Sequence, residues 1–309
     1  MVHLSKRLTW REKFRLKYGK DKSPGLGLLF TLPVIVMMTV LLFVPMGYQL
    51  YLALFDTSLK NPKPVFIFLD GYIKMFKDPV TLKVFYNAAV WTVTVVILQF
   101  LVGFWAALTL SGKFFGRTIL RGFVIIPWVI PGTVAAMIWR LVYDAQLGFL
   151  NTILRNLGLM QGYVDWLGTP RLAMGAAILV AVWKGFGFSA LMYMAGLQGI
   201  PMELYEAASV DGTNKIQQFF YITLPSMKNI IGTTLIMTSI WTFNYFEIIY
   251  VLTKGGPLNA TQIPPTYIYE LMFRNFNLGA SSRLAVISLI MMGAVSVFYI
   301  RNIKKRGNF

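Results

Sequence analysis

Four residues of one apolar segment combine hydroxyl groups with flat aromatic rings at helical spacing. Spaced i, i+3, i+4 and i+7, they share one face of a helix: Thr238, Trp241, Thr242 and Tyr245. Aromatic rings stack on the C–H faces of a sugar, and hydroxyl groups hydrogen-bond its OH groups. The alternative is a packing face, because Thr and Trp also serve helix packing and anchoring in membranes. The stripe therefore predicts either a sugar site or a packing face.

A second apolar segment repeats this spacing and carries a charge, at Ala181, Lys184, Gly185 and Phe188. A charged side chain inside an apolar helix is costly and is a functional candidate by default. Lys184 could meet the carboxylate of an acidic oligosaccharide, so such a substrate is one hypothesis. We favour a structural interpretation, such as an internal ion pair with Glu247.

Composition excludes most other chemistry. The chain has 309 residues, of which 56% are hydrophobic and 13% charged, whereas soluble domains carry about 25% charged residues. It has no cysteine and a single histidine, His3, so we expect no catalytic triad and no metal site. A net charge of +17 raises nucleic-acid binding as an alternative, which the placement of the charges argues against.

The elements that carry these residues are membrane spans. A bilayer core needs about 20 mostly apolar residues in a helix. Six segments qualify, at residues 27–54, 88–110, 122–142, 172–197, 230–252 and 284–300. The predicted fold class is therefore all-α, a polytopic membrane protein with six transmembrane helices. Its predicted domains are a basic tail at 1–25, a six-span domain at 26–300 and a basic tail at 301–309.

The positive charges predict the orientation of the spans. The first 24 residues hold eight Lys and Arg, the segment 111–121 three, and the last nine residues four. Positive loops stay in the cytoplasm, so we expect both termini and the segment 111–121 to be cytoplasmic. With six spans, the segment 202–228 then falls on the cytoplasmic side as well. The segments 56–86, 143–171 and 253–283 then lie outside as loops, and we expect no nucleic-acid partner.

One predicted cytoplasmic loop, at 200–228, reads IPMELYEAASVDGTNKIQQFFYITLPSMK. Pro201 suits the first turn of a helix and Gly212 the position just past its end. Thr213 is predicted to cap a second short helix. The loop is either a docking helix for another protein or an amphipathic connector lying along the membrane.

The string EAASVDG in this loop, followed by ITLP, resembles the EAA motif of binding-protein-dependent ABC importer permeases. In that family the motif is a coupling helix that docks into the cytoplasmic ATPase subunit. The motif residues here are Glu206, Ala207, Ala208, Asp211 and Gly212.

Further strings resemble the carbohydrate branch of that family, the maltose-permease type. They are IIPWVIPG at 125–132, VWKGFGF at 182–188 and FEIIYVLTKGGP at 246–257. The resemblance implies a sugar path lined by Trp128, Lys184, Gly185, Phe188, Thr238, Trp241, Thr242 and Tyr245. At two of these positions, Thr242 and Tyr245, the maltose-permease type carries amide side chains instead. The resemblance therefore implies where the sugar site lies in this chain, but it does not imply the same sugar.

The resemblance also implies partners. They are a second permease subunit, two ATPase subunits, an extracytoplasmic solute-binding protein, a sugar and membrane lipid, in a bacterial inner membrane. The chain has no GxxxxGK[ST] phosphate loop, so ATP and Mg²⁺ are expected on the ATPase and no cofactor on this chain. The rivals are a carrier driven by an ion gradient, expected to show paired acids or inverted repeats, and a membrane enzyme acting on lipid-linked sugars.

Overall fold

The computed structural model describes residues 24–112 and 114–306. Most of the two basic tails therefore lies outside the described residues. The chain forms two units, residues 1–51 and 52–309. In the first unit, α1 (Pro24–Met38) and α2 (Val44–Leu52) are joined by a π-helical turn at Thr39–Phe43. The apolar stretch Leu29–Leu52 is long enough to cross a membrane.

The second unit is mostly helical. After a hairpin of β1 (Phe55–Ser58) and β2 (Asn61–Phe66), its helices are α3 (Asp70–Lys77), α4 (Pro79–Ser111), α5 (Arg117–Val129), α6 (Gly132–Val142), α7 (Phe149–Asn156), α8 (Pro170–Gln198), α9 (Met202–Val210), α10 (Lys215–Gln218), α11 (Leu224–Ser226), α12 (Lys228–Phe243), α13 (Phe246–Leu252), α14 (Pro264–Phe273) and α15 (Leu278–Arg306). The antiparallel hairpin and α3 occupy a segment predicted as a loop.

The six predicted spans are confirmed, with two of them broken. Within the described residues, four helices are each long and apolar enough to cross a membrane: Leu29–Leu52, α4, α8 and the first part of α15. The third predicted span consists of α5 and α6, bent by 96°, and the fifth of α12 and α13, bent by 43°. Counting each bent pair as one span gives six.

Proline explains the break in the third span. Pro131 cannot donate a backbone hydrogen bond, and it disfavours helical geometry in the residue before it. Ile130 is accordingly extended, with φ −61° and ψ 131°, and α6 starts directly after Pro131. No proline occupies the second break, where Asn244 ends α12 and Tyr245 precedes α13.

The core lies where α4 and α8 pack side by side, with Trp91, Val95 and Ala181 fully buried. Small residues permit this contact: a Cβ on Gly103 would lie 2.7 Å from Ser189 Cβ and 3.0 Å from the Ala190 nitrogen. Helices in lipid associate through such close packing, since lipid is as apolar as the side chains. The α4–α8 pair is thus the frame on which the broken spans are arranged.

Candidate substrate path and coupling loop

A small cavity of about 10 Å³ lies among α4, α5, α8 and α12. It is lined by Gln99, Trp128, Gly185, Phe188, Thr238, Trp241, Thr242 and Tyr245. Seven of the eight predicted path residues therefore meet at one place, and the eighth, Lys184, does not line the cavity. The volume is at the lower limit for one water, and two of the walls are partly exposed, Trp128 at 37% and Trp241 at 41%.

The break in the fifth span changes the predicted stripe. Thr238, Trp241 and Thr242 do share α12, but Tyr245 lies beyond its end with φ −68° and ψ 87°. The prediction of one continuous helical face was therefore wrong at Tyr245, although its side chain still reaches the cavity. The indole N–H of Trp91 donates to the Thr242 carbonyl at 2.8 Å, which gives a carbonyl beside the break a buried partner.

Gln99 is the lining residue that sequence reasoning missed. It is 2% exposed, and its amide nitrogen donates to the Ala181 carbonyl on α8 at 2.9 Å. Gly185 makes room for it, since a Cβ there would overlap the Gln99 amide. The available signal was an amide within an otherwise apolar run, which in a membrane span marks a functional candidate.

The cavity walls combine rings with hydrogen-bonding groups. Phe188 contacts both tryptophans, with ring centroids 5.5 Å from Trp128 and 4.8 Å from Trp241. The Thr238 hydroxyl donates to the Thr234 carbonyl at 2.8 Å, so towards a ligand it can act as an acceptor. Such walls suit a molecule with apolar faces and hydroxyl edges once the rings move apart.

Lys184 lies instead at the break of the third span. It is 8% exposed, and its ammonium donates to the carbonyls of Trp128, at 3.2 Å, and Ile130, at 2.9 Å. These carbonyls end α5, where a helix leaves acceptors unpaired and favours a cation. Its hydrogen bonds thus go to backbone oxygens, and Glu247 lies near enough to attract its charge electrostatically.

Glu247 lies against the other side of the same break. A Cβ on Gly132, the first residue of α6, would be 2.5 Å from its Oε1 and 2.6 Å from its Cγ. A carboxylate beside the start of a helix is favoured by the helix dipole. Lys184 on α8 and Glu247 on α13 therefore contact the two half-helices of the broken span on either side of Pro131 in sequence.

The loop with the EAASVDG string forms a helix, a glycine turn and a second helix. No residue of α9 is buried, and Gly212 follows it with φ +77°, the left-handed conformation that favours glycine. The second helix begins one residue later than predicted. Asn214 caps it, not Thr213, through reciprocal bonds with Gln217.

Hydrogen bonds across the glycine turn fix the two helices relative to one another. Gln218 Nε2 donates to Ser209 Oγ at 3.0 Å, and Thr213 Oγ1 donates to the Ala208 carbonyl at 2.6 Å. The hydroxyls of Tyr205 and Thr223 lie 2.9 Å apart, which joins α9 to the chain that leads into the fifth span. These hydrogen bonds connect α9 to the segment that precedes the fifth span.

The outward face of this loop mixes apolar and acidic side chains. Met202 is 68% exposed and Val210 89%, while Glu203, Glu206 and Asp211 are exposed as well. An exposed apolar patch of this kind marks an interaction site. Within the described residues, no group of three or more His, Cys, Asp and Glu is placed to hold a metal ion.

The bundle of broken spans, its central cavity and its exposed loop define a membrane permease. The family model described as binding-protein-dependent transport system inner membrane component matches residues 99–306, and the chain belongs to this family. It is therefore a multi-pass membrane permease subunit of an ABC transporter.

Named relatives and a solved structure are similar along nearly the whole chain. The trehalose/maltose transport system permease protein MalF of Thermococcus litoralis is 34% identical over 294 residues, 93% of this chain and 95% of that protein. The sulfoquinovosyl glycerol transport system permease protein SmoG of Agrobacterium fabrum is 33% identical over 282 residues, 91% of each. The crystal structure of a bacterial ABC transporter that imports alginate matches with a TM-score of 0.79 at 22% identity, covering 92% of this chain and 96% of that one.

Proposed function

We propose that this chain is one of two permease subunits of an importer for sugars or oligosaccharides. The observation that carries the proposal is the cavity among α4, α5, α8 and α12, where four aromatic side chains, two threonines and Gln99 converge. The named relatives with 33–34% identity transport trehalose and maltose or a sulfoquinovosyl glycerol, which supports this substrate class.

The coupling step is assigned to the loop. Glu206, Ala207, Ala208, Asp211 and Gly212 form or end the exposed helix α9, which docks on a cytoplasmic ATPase subunit. ATP and Mg²⁺ are bound there, and this chain carries no cofactor. Closure of two ATPases moves α9, and its hydrogen bonds to the following helices transmit the motion to the fifth span.

The remaining partners complete the cycle. A second permease subunit forms the other half of the path, and an extracytoplasmic solute-binding protein delivers the sugar to the opposite side of the membrane. In this arrangement both termini and the segment 111–121 face the cytoplasm, since the basic residues concentrate there. The loop 200–228 then faces the cytoplasm as well, because two spans separate it from the segment 111–121. An acidic oligosaccharide is the narrower substrate hypothesis, and the carbonyl partners of Lys184 give it no direct support.

The test is saccharide uptake by the complete complex reconstituted in vesicles. Trp241→Ala removes a ring from the cavity and is expected to lower uptake at least about tenfold, in line with the cost of truncating a large aromatic contact. Trp105→Ala is the matched control, because Trp105 is 69% exposed on α4 and lies outside the cavity. Equal uptake by both variants would contradict the assignment of the path.

A further inference from the structure

One face of the short helix α3 packs against the ends of two membrane spans. Gly71 and Met75, one turn apart, are both buried. Met75 belongs to one buried apolar cluster with Leu284 and Ile287 of α15, and Phe85 of α4 packs against that cluster. At a rise of 1.5 Å per residue, Phe85 and Leu284 lie about 9 Å in from the first residue of their helices. The helix α3 therefore lies beside the first turns of two spans.

A second face of α3 carries apolar side chains that the chain leaves exposed. Leu69, Ile73 and Phe76 are spaced i, i+4 and i+7, so they form one stripe along the helix, and they are 55%, 51% and 51% exposed. Phe68, directly before them, is also exposed, and its ring stacks on Phe66 at 6.0 Å between centroids. Apolar surface gains free energy when it leaves water, and an exposed apolar patch marks a surface that something else covers.

The third face of α3 is polar. Asp70, Lys74 and Lys77 lie on it, and all three are exposed. At 3.6 residues per turn, the polar face and the apolar stripe each lie about a third of a turn from the packed face, in opposite directions. With its packed face against the spans, α3 therefore turns its stripe and its charges to different surroundings.

We propose that α3 is an interfacial helix, with the stripe Leu69, Ile73 and Phe76 inserted into the lipid leaflet on the side opposite to α9. Three spans separate α3 from α9, which places them on opposite sides of the membrane. A helix with an apolar face and lysines on its polar face lies in the plane of the membrane surface. Lys74 and Lys77 then reach headgroup phosphates through their flexible stems.

The depth of α3 favours lipid over a protein as the occupant. The residues that Met75 packs against belong to helices apolar enough to cross a membrane, so the stripe continues a surface that lipid already covers. A soluble protein approaching from water meets the polar face first. The two lysines share that face with Asp70, so the helix requires a membrane surface but no particular excess of anionic lipid.

The experiment is site-directed spin labelling of the complete transporter complex in lipid nanodiscs. The chain has no cysteine, so single cysteines can be introduced: Ile73→Cys and Phe76→Cys on the stripe, Asp70→Cys and Lys77→Cys as matched controls on the polar face. All four side chains are exposed, so the labels leave the packing of the helix intact. The wild-type complex, treated in the same way, measures labelling of cysteines in the other subunits.

Two collision reagents distinguish lipid from water: molecular oxygen, which concentrates in lipid, and a water-soluble nickel chelate. We expect oxygen to relax the labels of Ile73→Cys and Phe76→Cys more strongly than the chelate does, and the reverse order for Asp70→Cys and Lys77→Cys. The proposal is overturned if the chelate reaches the two stripe labels as readily as the control labels, because the stripe then lies in water. It is also overturned if both reagents are excluded from the stripe labels, since a protein then covers them.

Discussion

Buried donors in the bundle centre are satisfied by backbone carbonyls of other helices. Gln99 bonds Ala181, Trp91 bonds Thr242, and Lys184 bonds two carbonyls at the end of α5. Each bond joins one helix to another, and two of the three donors act beside a helix break. Polar residues in the spans therefore hold the broken spans in position as well as lining the path.

At the residue scale, Gly185→Ala tests the fit between Gly185 and Gln99. The new Cβ overlaps the Gln99 amide, so we expect the amide to lose its bond to Ala181. Overpacking of this kind costs about 1–3 kcal/mol, measured as thermal stability of the complex, and we expect uptake to fall with it. The control is Gly175→Ala on the same helix, where a Cβ meets nothing within 4 Å, and we expect it to leave stability and uptake unchanged. If the two variants have the same stability and uptake, the close fit between Gly185 and Gln99 is refuted.

Lys184→Met separates the two interpretations of that lysine. Two carbonyls lose their partner, and we expect a loss of about 1–2 kcal/mol in stability. Because the role is structural, uptake of neutral and anionic oligosaccharides should fall by the same factor. A loss confined to anionic sugars would instead favour the acidic-oligosaccharide hypothesis.

At the element scale, the two broken spans distinguish this bundle from a set of straight helices. The break of the third span brings Trp128 beside Phe188, and the break of the fifth places Tyr245 at the cavity. Half-helices joined by extended residues can change their angle without losing internal hydrogen bonds. We expect the path to open at these breaks.

The sequence predicted the spans well and the local geometry less well. Apolar length alone located all six spans, and seven path residues do converge. The end of α12 at Asn244 carries no proline or glycine, so helical spacing wrongly continued through Tyr245. Gln99 and the hairpin Phe55–Phe66 depend on contacts with distant segments, such as Ser58 with the Phe276 carbonyl, which no local pattern reveals.

Gly212→Ala tests the loop as an element. Nothing lies within 4 Å of a Cβ there, so the only cost is the left-handed backbone at φ +77°, about 1 kcal/mol. We expect α9 to be reoriented and uptake per ATP hydrolysed to fall severalfold. Gly158→Ala carries the same strain at φ +68°, also in open space, and should leave coupling intact. If both variants couple normally, the geometry of the turn is unimportant for transport.

At the scale of the whole molecule, the chain is a permease subunit, and ATP hydrolysis belongs to a separate subunit. Its family is the membrane component of binding-protein-dependent transport, and α9 presents an apolar and acidic surface that no described residue buries. The cavity has a volume of about 10 Å³, and Trp128 and Trp241 in its wall are 37% and 41% exposed. In the proposed cycle, motion of α9 would enlarge it.

The most direct test is to purify the affinity-tagged chain from native membranes in mild detergent and identify its partners by mass spectrometry. The account predicts recovery of an ATPase and a second permease. It also predicts loss of the ATPase, but retention of the second permease, when Glu206→Ala and Gly212→Ala are combined. Gly158→Ala should retain both partners. A chain recovered alone, or one that keeps its ATPase despite both loop substitutions, would contradict the assignment of α9 as the coupling helix.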